Sequence, residues 1–154
     1  MSRICWILVA VFGISSSVMA YKFILSGSVE ESSDGRLAIQ LTPDERDLVL
    51  AEMRAFLESV QLITQAIASK DFVAIAKAAE AVGQVAQQDV PGTLVGKLPL
   101  EFKKLGFDTH AKFTQLSLDA KQLGDEEHTL EQLGTLLQNC VACHASFKFK
   151  PSNN

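Results

Sequence analysis

Residues 126–147, EEHTLEQLGTLLQNCVACHASF, set Leu130, Leu133, Leu137, Cys140, His144 and Phe147 at steps of three, four, three, four and three. That spacing keeps one side of an α-helix facing inward. Asp125, Glu126 and Glu127 add negative charge at its start, where the helix dipole favours it. The stretch reads as an amphipathic helix that needs other helices to cover its apolar face.

The preceding sequence supplies them. Thr42-Pro43-Asp44-Glu45 has a capping hydroxyl, proline at the first helical position and a glutamate placed to complete a capping box. From there Val49, Met53, Phe56, Val60, Ile63 and Ile67 form one apolar stripe, which predicts a helix over 43–68. Ser69-Lys70-Asp71 is a turn with a capping aspartate. Phe72, Ile75, Ala79, Val82 and Ala86 then mark a second helix, ended by Asp89-Val90-Pro91-Gly92. Its inner face is largely alanine, which lets a backbone or a flat group come close and also has the best helix propensity. After a loop to Pro99, Leu100–Leu105 suggests a short helical turn that Gly106 breaks. Asp108 is placed to cap a third long helix, with His110, Phe113, Leu116 or Ser117, Ala120 and Leu123 on one face as far as Gly124. Four such helices predict an all-α fold, an antiparallel four-helix bundle over 42–150 with a short tail at 151–154. Residues 21–41 read as a linker ending in a short extended piece, and no segment alternates convincingly as a strand.

At 154 residues the chain has the size of one domain. Its first 20 residues, MSRICWILVAVFGISSSVMA, combine Arg3, an apolar run and small residues up to Ala20, the pattern of a secretory signal peptide. Tyr21, Phe23, Ile24 and Leu25 prolong the run, so residues 4–25 also satisfy the length of an uncleaved membrane anchor. Arg3 on the inner flank sends the rest of the chain outward in both cases. The expected location is periplasmic, either soluble or attached to the inner membrane. Without the first 20 residues, 13 Lys and Arg face 18 Asp and Glu, a net charge of −5. An acidic domain with no basic run has no electrostatic footprint for nucleic acid.

Cys5 lies in the N-terminal apolar segment. The exported part therefore holds only Cys140 and Cys143, too few for a disulfide framework. Cys140-Val141-Ala142-Cys143-His144 is the C-x-x-C-H pattern of covalent haem attachment, in which the two thiols add to the haem vinyl groups and the histidine binds iron from below. A thioredoxin-like pair needs a strand before the motif and a helix starting at it, whereas here the motif continues a helix. A structural zinc site needs four ligands, and no further cysteine is available.

In CVACHASFK and FDTHAKFTQLSLDAKQL the chain resembles the class II c-type cytochromes, the cytochrome c prime family, over roughly residues 43–150. The resemblance implies a four-helix bundle with one haem c near the C-terminal end of the last helix. Cys140 and Cys143 would be its attachment points and His144 its proximal iron ligand. Phe147-Lys148 occupies the aromatic-basic pair that follows the family's motif, with lysine where arginine is more frequent. One branch of the family fills the sixth iron position with a methionine of the first helix, and the other leaves it open. Met53, the only methionine after residue 20, lies about where the ligand of the first branch falls, so the resemblance implies that it is the distal ligand. At 1.5 Å per residue, Met53 lies ~15 Å from Pro43 and His144 ~9 Å from Lys150, compatible levels in antiparallel helices. The alternative for Met53 is a gap-filling core side chain.

Other residues carry weaker signals. His110 shares the face of Phe113 and falls near the haem edge, though a core or surface histidine is the commoner case. His128 is ~24 Å along the helix from His144 and cannot reach the same iron. Phe56, Phe102, Phe107 and Phe113 are candidates to wall a haem, and Arg46 and Arg54 to pair with propionates. The expected function is one-electron transport with redox proteins as partners, not enzymatic catalysis; no distal acid-base group suggests a peroxidase. The alternative is a five-coordinate haem that binds nitric oxide or carbon monoxide. Some family members pair through the first helix, which adds a homodimer to the expected partners.

Overall fold

A computed structural model describes residues 3–87 and 90–151. The structure is mostly helical with one small sheet. In order the elements are α1 (Arg3–Ala20), continued by a π-helical turn at Tyr21–Ser26, then β1 (Val29–Glu31), β2 (Leu37–Leu41), α2 (Pro43–Ser69) and α3 (Phe72–Glu80). A 3-10 turn (Gln84–Gln87) leads to α4 (Gly92–Lys97), α5 (Leu100–Gln122), α6 (Glu126–Ser146) and β3 (Phe147–Pro151).

The local signals at the start of α2 work as chemistry requires. Glu45 N–H donates to Thr42 Oγ1 at 3.4 Å, and the Glu45 carboxylate accepts from Thr42 N–H at 2.8 Å. Asp71 caps α3 by accepting from Ala74 N–H at 2.9 Å, and Asp125 caps α6 by accepting from His128 N–H at 2.9 Å. Two adjoining cores follow. Ile63 of α2, Ile75 and Ala79 of α3, Phe113 and Leu116 of α5, and Leu133 and Leu136 of α6 form the first. The second joins Ile39 and Leu41 of β2, Val49 of α2, Leu94 of α4, Phe102 of α5 and Phe147 of β3.

The second core corrects the sequence reading. Residues 21–41 are not a loose linker: they contain β1 and β2, antiparallel with Val29 opposite Ile39. Phe147 does not continue the last helix but opens β3, which runs parallel to β2 with Leu37 opposite Phe147 and Leu41 opposite Pro151. Pro151, assigned to the tail, is the last residue of that strand, whereas residues 152–154 lie outside the described part. Ile39 and Leu41 are fully buried, and each contributes about 1.5–3 kcal/mol by leaving water. The segment folds because those side chains have a core to enter.

Three helix boundaries also differ. Gly106 does not break α5, which runs unbroken from Leu100 to Gln122; a glycine costs only about 1 kcal/mol in a helix, and the buried stripe of Phe102, Thr109, Phe113 and Leu116 on either side offsets it. Asp108 is therefore no cap but lies within α5, bound to Lys112 at 2.7 Å and to Asn139 of α6 at 2.7 Å. The second helix stops at Glu80. Gly83 comes so close to α5 that a Cβ there would lie 2.6 Å from Thr114 Oγ1, and Ala86 is exposed. The expected end at Asp89 lies outside the described residues. On α6 the buried stripe is Thr129, Leu133, Leu136 and Asn139, while Leu130 is exposed.

Candidate functional site

The two cores part at one level of the fold, and a cavity of about 470 Å³ opens there between α2, α5 and α6. Its size is typical of a cofactor site. Cys140, Cys143 and His144 of α6 line it on one side, and Met53 of α2 lines it too. Cys140, Cys143, His144 and Met53 thus border a single space. Cys140 packs against the first core and Cys143 against the second, so the C-x-x-C turn of α6 bridges both.

The walls are apolar. Val49, Phe56 and Val60 of α2 and Phe102 and Leu105 of α5 contribute to them. Gly106 belongs here as well: a Cβ built on it meets nothing within 4 Å. Gly106 lines the cavity with open space beside it. It thus lies on the cavity wall within a continuous α5 instead of ending a helix.

Burial pushes both thiols up. Cys140 lies above the ordinary thiol range, and Cys143 is pushed up to about 11 by burial and then by its neighbour Cys140. Protonated, half-buried thiols differ from the lowered thiolate of a disulfide-exchange pair. Among the described residues no group of three or more His, Cys, Asp or Glu side chains is placed to hold a metal ion. The residues present suit a flat apolar group tethered through sulfur, with one imidazole and one thioether for its metal: two thiols one helical turn apart, His144 beside them, Met53 on α2 and the open space beside Gly106.

His110 also lines the cavity, but both its nitrogens are engaged. Nδ1 donates to the Val82 carbonyl at 2.8 Å and Nε2 lies 3.1 Å from Glu52 Oε1. Burial disfavours its charge, yet the Glu52 carboxylate and the Val82 carbonyl outweigh burial and raise its pKa above the ordinary histidine value. Its ring packs edge-on against Phe56 at 4.8 Å, and Phe56 stacks on Phe113 at 5.4 Å. His110 thus braces the cavity wall, its two ring nitrogens taken up by Val82 and Glu52.

The remaining candidates separate cleanly. Phe56, Phe102 and Arg54 line the cavity. Phe113 stands behind Phe56, and Phe107 is exposed away from it. Arg46 pairs with Asp47, His128 with Asp119, and Lys148 of β3 with Asp34 in the β1–β2 turn at 3.3 Å. The pairing of Lys148 places it on the sheet side of the motif, where Arg36 also reaches the His144 carbonyl at 3.4 Å.

No protein-family model matches the chain, and no curated protein or solved structure matches it significantly.

Proposed function

We propose that the protein is a periplasm-side c-type cytochrome that carries single electrons through one haem c. The observation that carries this reading is the meeting of Cys140, Cys143, His144 and Met53 on one apolar cavity beside a helical glycine. Cys140 and Cys143 would hold the haem covalently, with His144 as its proximal and Met53 as its distal iron ligand. When bound, the haem supplies one-electron redox chemistry at its iron, and a methionine ligand raises the potential.

The chain's own residues do the rest. Phe56, Val60 and Phe102 line the cavity and would exclude water from a bound ring, and Phe113 supports Phe56 from the core. Arg54 offers a cation at the cavity. The helices α2, α3, α5 and α6, which share the first core, are read as the antiparallel four-helix bundle of the class II cytochromes, with the small sheet closing one end. Export is supported by the apolar helix that precedes the domain.

The visible spectrum of the haem-loaded protein, with and without carbon monoxide, tests the ligand set. Wild-type protein is expected to be low-spin and indifferent to the gas, and Met53→Ala to become high-spin and bind it. A high-spin wild type that binds carbon monoxide, unchanged by the substitution, would replace the carrier with a five-coordinate gas-binding haem.

A further inference from the structure

The helix Arg3–Ser26 is long and apolar enough to cross a membrane, and none of it is buried against the domain's core. Its ends are marked. Arg3 and Lys22 bracket 18 uncharged residues, Ile4–Tyr21, a rise of ~27 Å at 1.5 Å per residue, close to the hydrocarbon thickness of about 30 Å. Trp6 and Tyr21 lie near the two ends, where interfacial aromatic side chains belong.

The junction with the domain leaves no slack. Lys103 Nζ of α5 donates to the carbonyls of Phe23 and Ile24 at 2.9 and 3.2 Å, so a cation sits on the last turn of the helix, where the dipole favours it. Gly27 follows at φ +67°, and a Cβ there would lie 2.5 Å from the Lys97 carbonyl. Ser28 N–H donates to that same carbonyl at 2.7 Å, and Ser28 accepts from Gln40 N–H at 2.8 Å. The next residue is already in β1. Gly96 of α4 meets the Phe23 ring, its Cβ position 3.1 Å away.

Cleavage after Ala20 would leave a hexapeptide, YKFILS, with Tyr21, Phe23, Ile24 and Leu25 each about half exposed or more. Such a cluster of bare apolar side chains marks a surface meant for another apolar phase. The geometry points to an uncleaved anchor: Ile4–Tyr21 stays in a phospholipid bilayer, and Lys103, Gly27 and Ser28 fasten the turn that follows it to the domain as a stiff stalk, so that the cavity is carried in a fixed attitude to the membrane. This inference concerns attachment and stands apart from the haem reading.

The test uses the full chain made in a bacterial host that exports proteins and attaches haem. Intact mass of the purified protein should include the residues before Tyr21; a chain beginning at Tyr21 overturns the anchor. Bound haem adds its own mass to the same spectrum, so failure of one reading leaves the other visible. For the stalk, the protein is placed in phospholipid nanodiscs and digested with trypsin, which cuts after Lys22. Release of the domain should be slow in wild type and about tenfold faster in Lys103→Ala, which removes two charge-assisted hydrogen bonds from the junction. Gly27→Ala, which forces the backbones apart, should act in the same direction. Equal release from all three, with unchanged helical circular dichroism, overturns the stiff junction.

Discussion

Glu52→Gln is the most informative small change at the cavity wall. It keeps the size of the side chain and an oxygen that can accept from His110 Nε2, now 3.1 Å from Glu52 Oε1, but removes the charge. His110 is nearly inaccessible, with 4% of its side chain exposed against 34% for Glu52. A hydrogen bond to a charged group contributes about 1.5–3 kcal/mol and a neutral one about 0.5–1.5, a difference of about 1 kcal/mol; the exposure of Glu52 trims it through solvent screening. The folded pKa of His110 is raised, so its contribution is complete below the unfolded value near 6.5. It is lost as pH rises through the folded value. Urea unfolding of wild type and Glu52→Gln in mild detergent should therefore show a gap of about 1 kcal/mol at pH 6 that closes in alkali. A gap of the same size at both pH values would refute a charged pair between His110 and Glu52.

Phe113→Ala should cost about 3–5 kcal/mol in the same assay, because the ring is fully buried and supports Phe56; a loss under about 1 kcal/mol would show that the first core does not close around it. Glu45→Ala should cost about 2 kcal/mol by removing a capping box and the 2.7 Å bond to Lys97. Burial pushes the Glu45 carboxyl up, but Lys97 and the Thr42 N–H bring it below its ordinary value; its contribution is present above the unfolded value near 4.3 and is lost as pH falls through the folded one. The cost should accordingly shrink in acid, and a cost that grows there would refute the assignment.

The helices were legible where local chemistry and burial agree. Thr42, Pro43 and Glu45 start α2, and Val49, Phe56 and Ile63 follow its stripe into the core. Gly106 was misread because propensity weighed a single residue, whereas the stripe on both sides of it decides α5. The strands escaped for different reasons. Ala38 and Ile39 are adjacent and both buried, so β2 is covered on both faces and its sequence lacks the apolar–polar alternation of a half-buried strand. In Phe147-Lys148-Phe149-Lys150 the alternation was present, but it follows an uninterrupted helical period and its partner is more than a hundred residues away. At the site, the C-x-x-C-H motif announced its own residues. The Glu52–His110 contact could not be read, since it depends on how α2 and α5 are set against each other.

The most direct measurement is the covalent haem content of wild-type protein and of the Cys140→Ala/Cys143→Ala double variant, made in a host with haem-attachment machinery. Extraction with acidified acetone removes haem that is not covalently bound, and intact mass counts what stays. One haem retained by the wild type and none by the variant is the predicted result. A wild type that retains none, although folded and exported, would contradict the account at its centre.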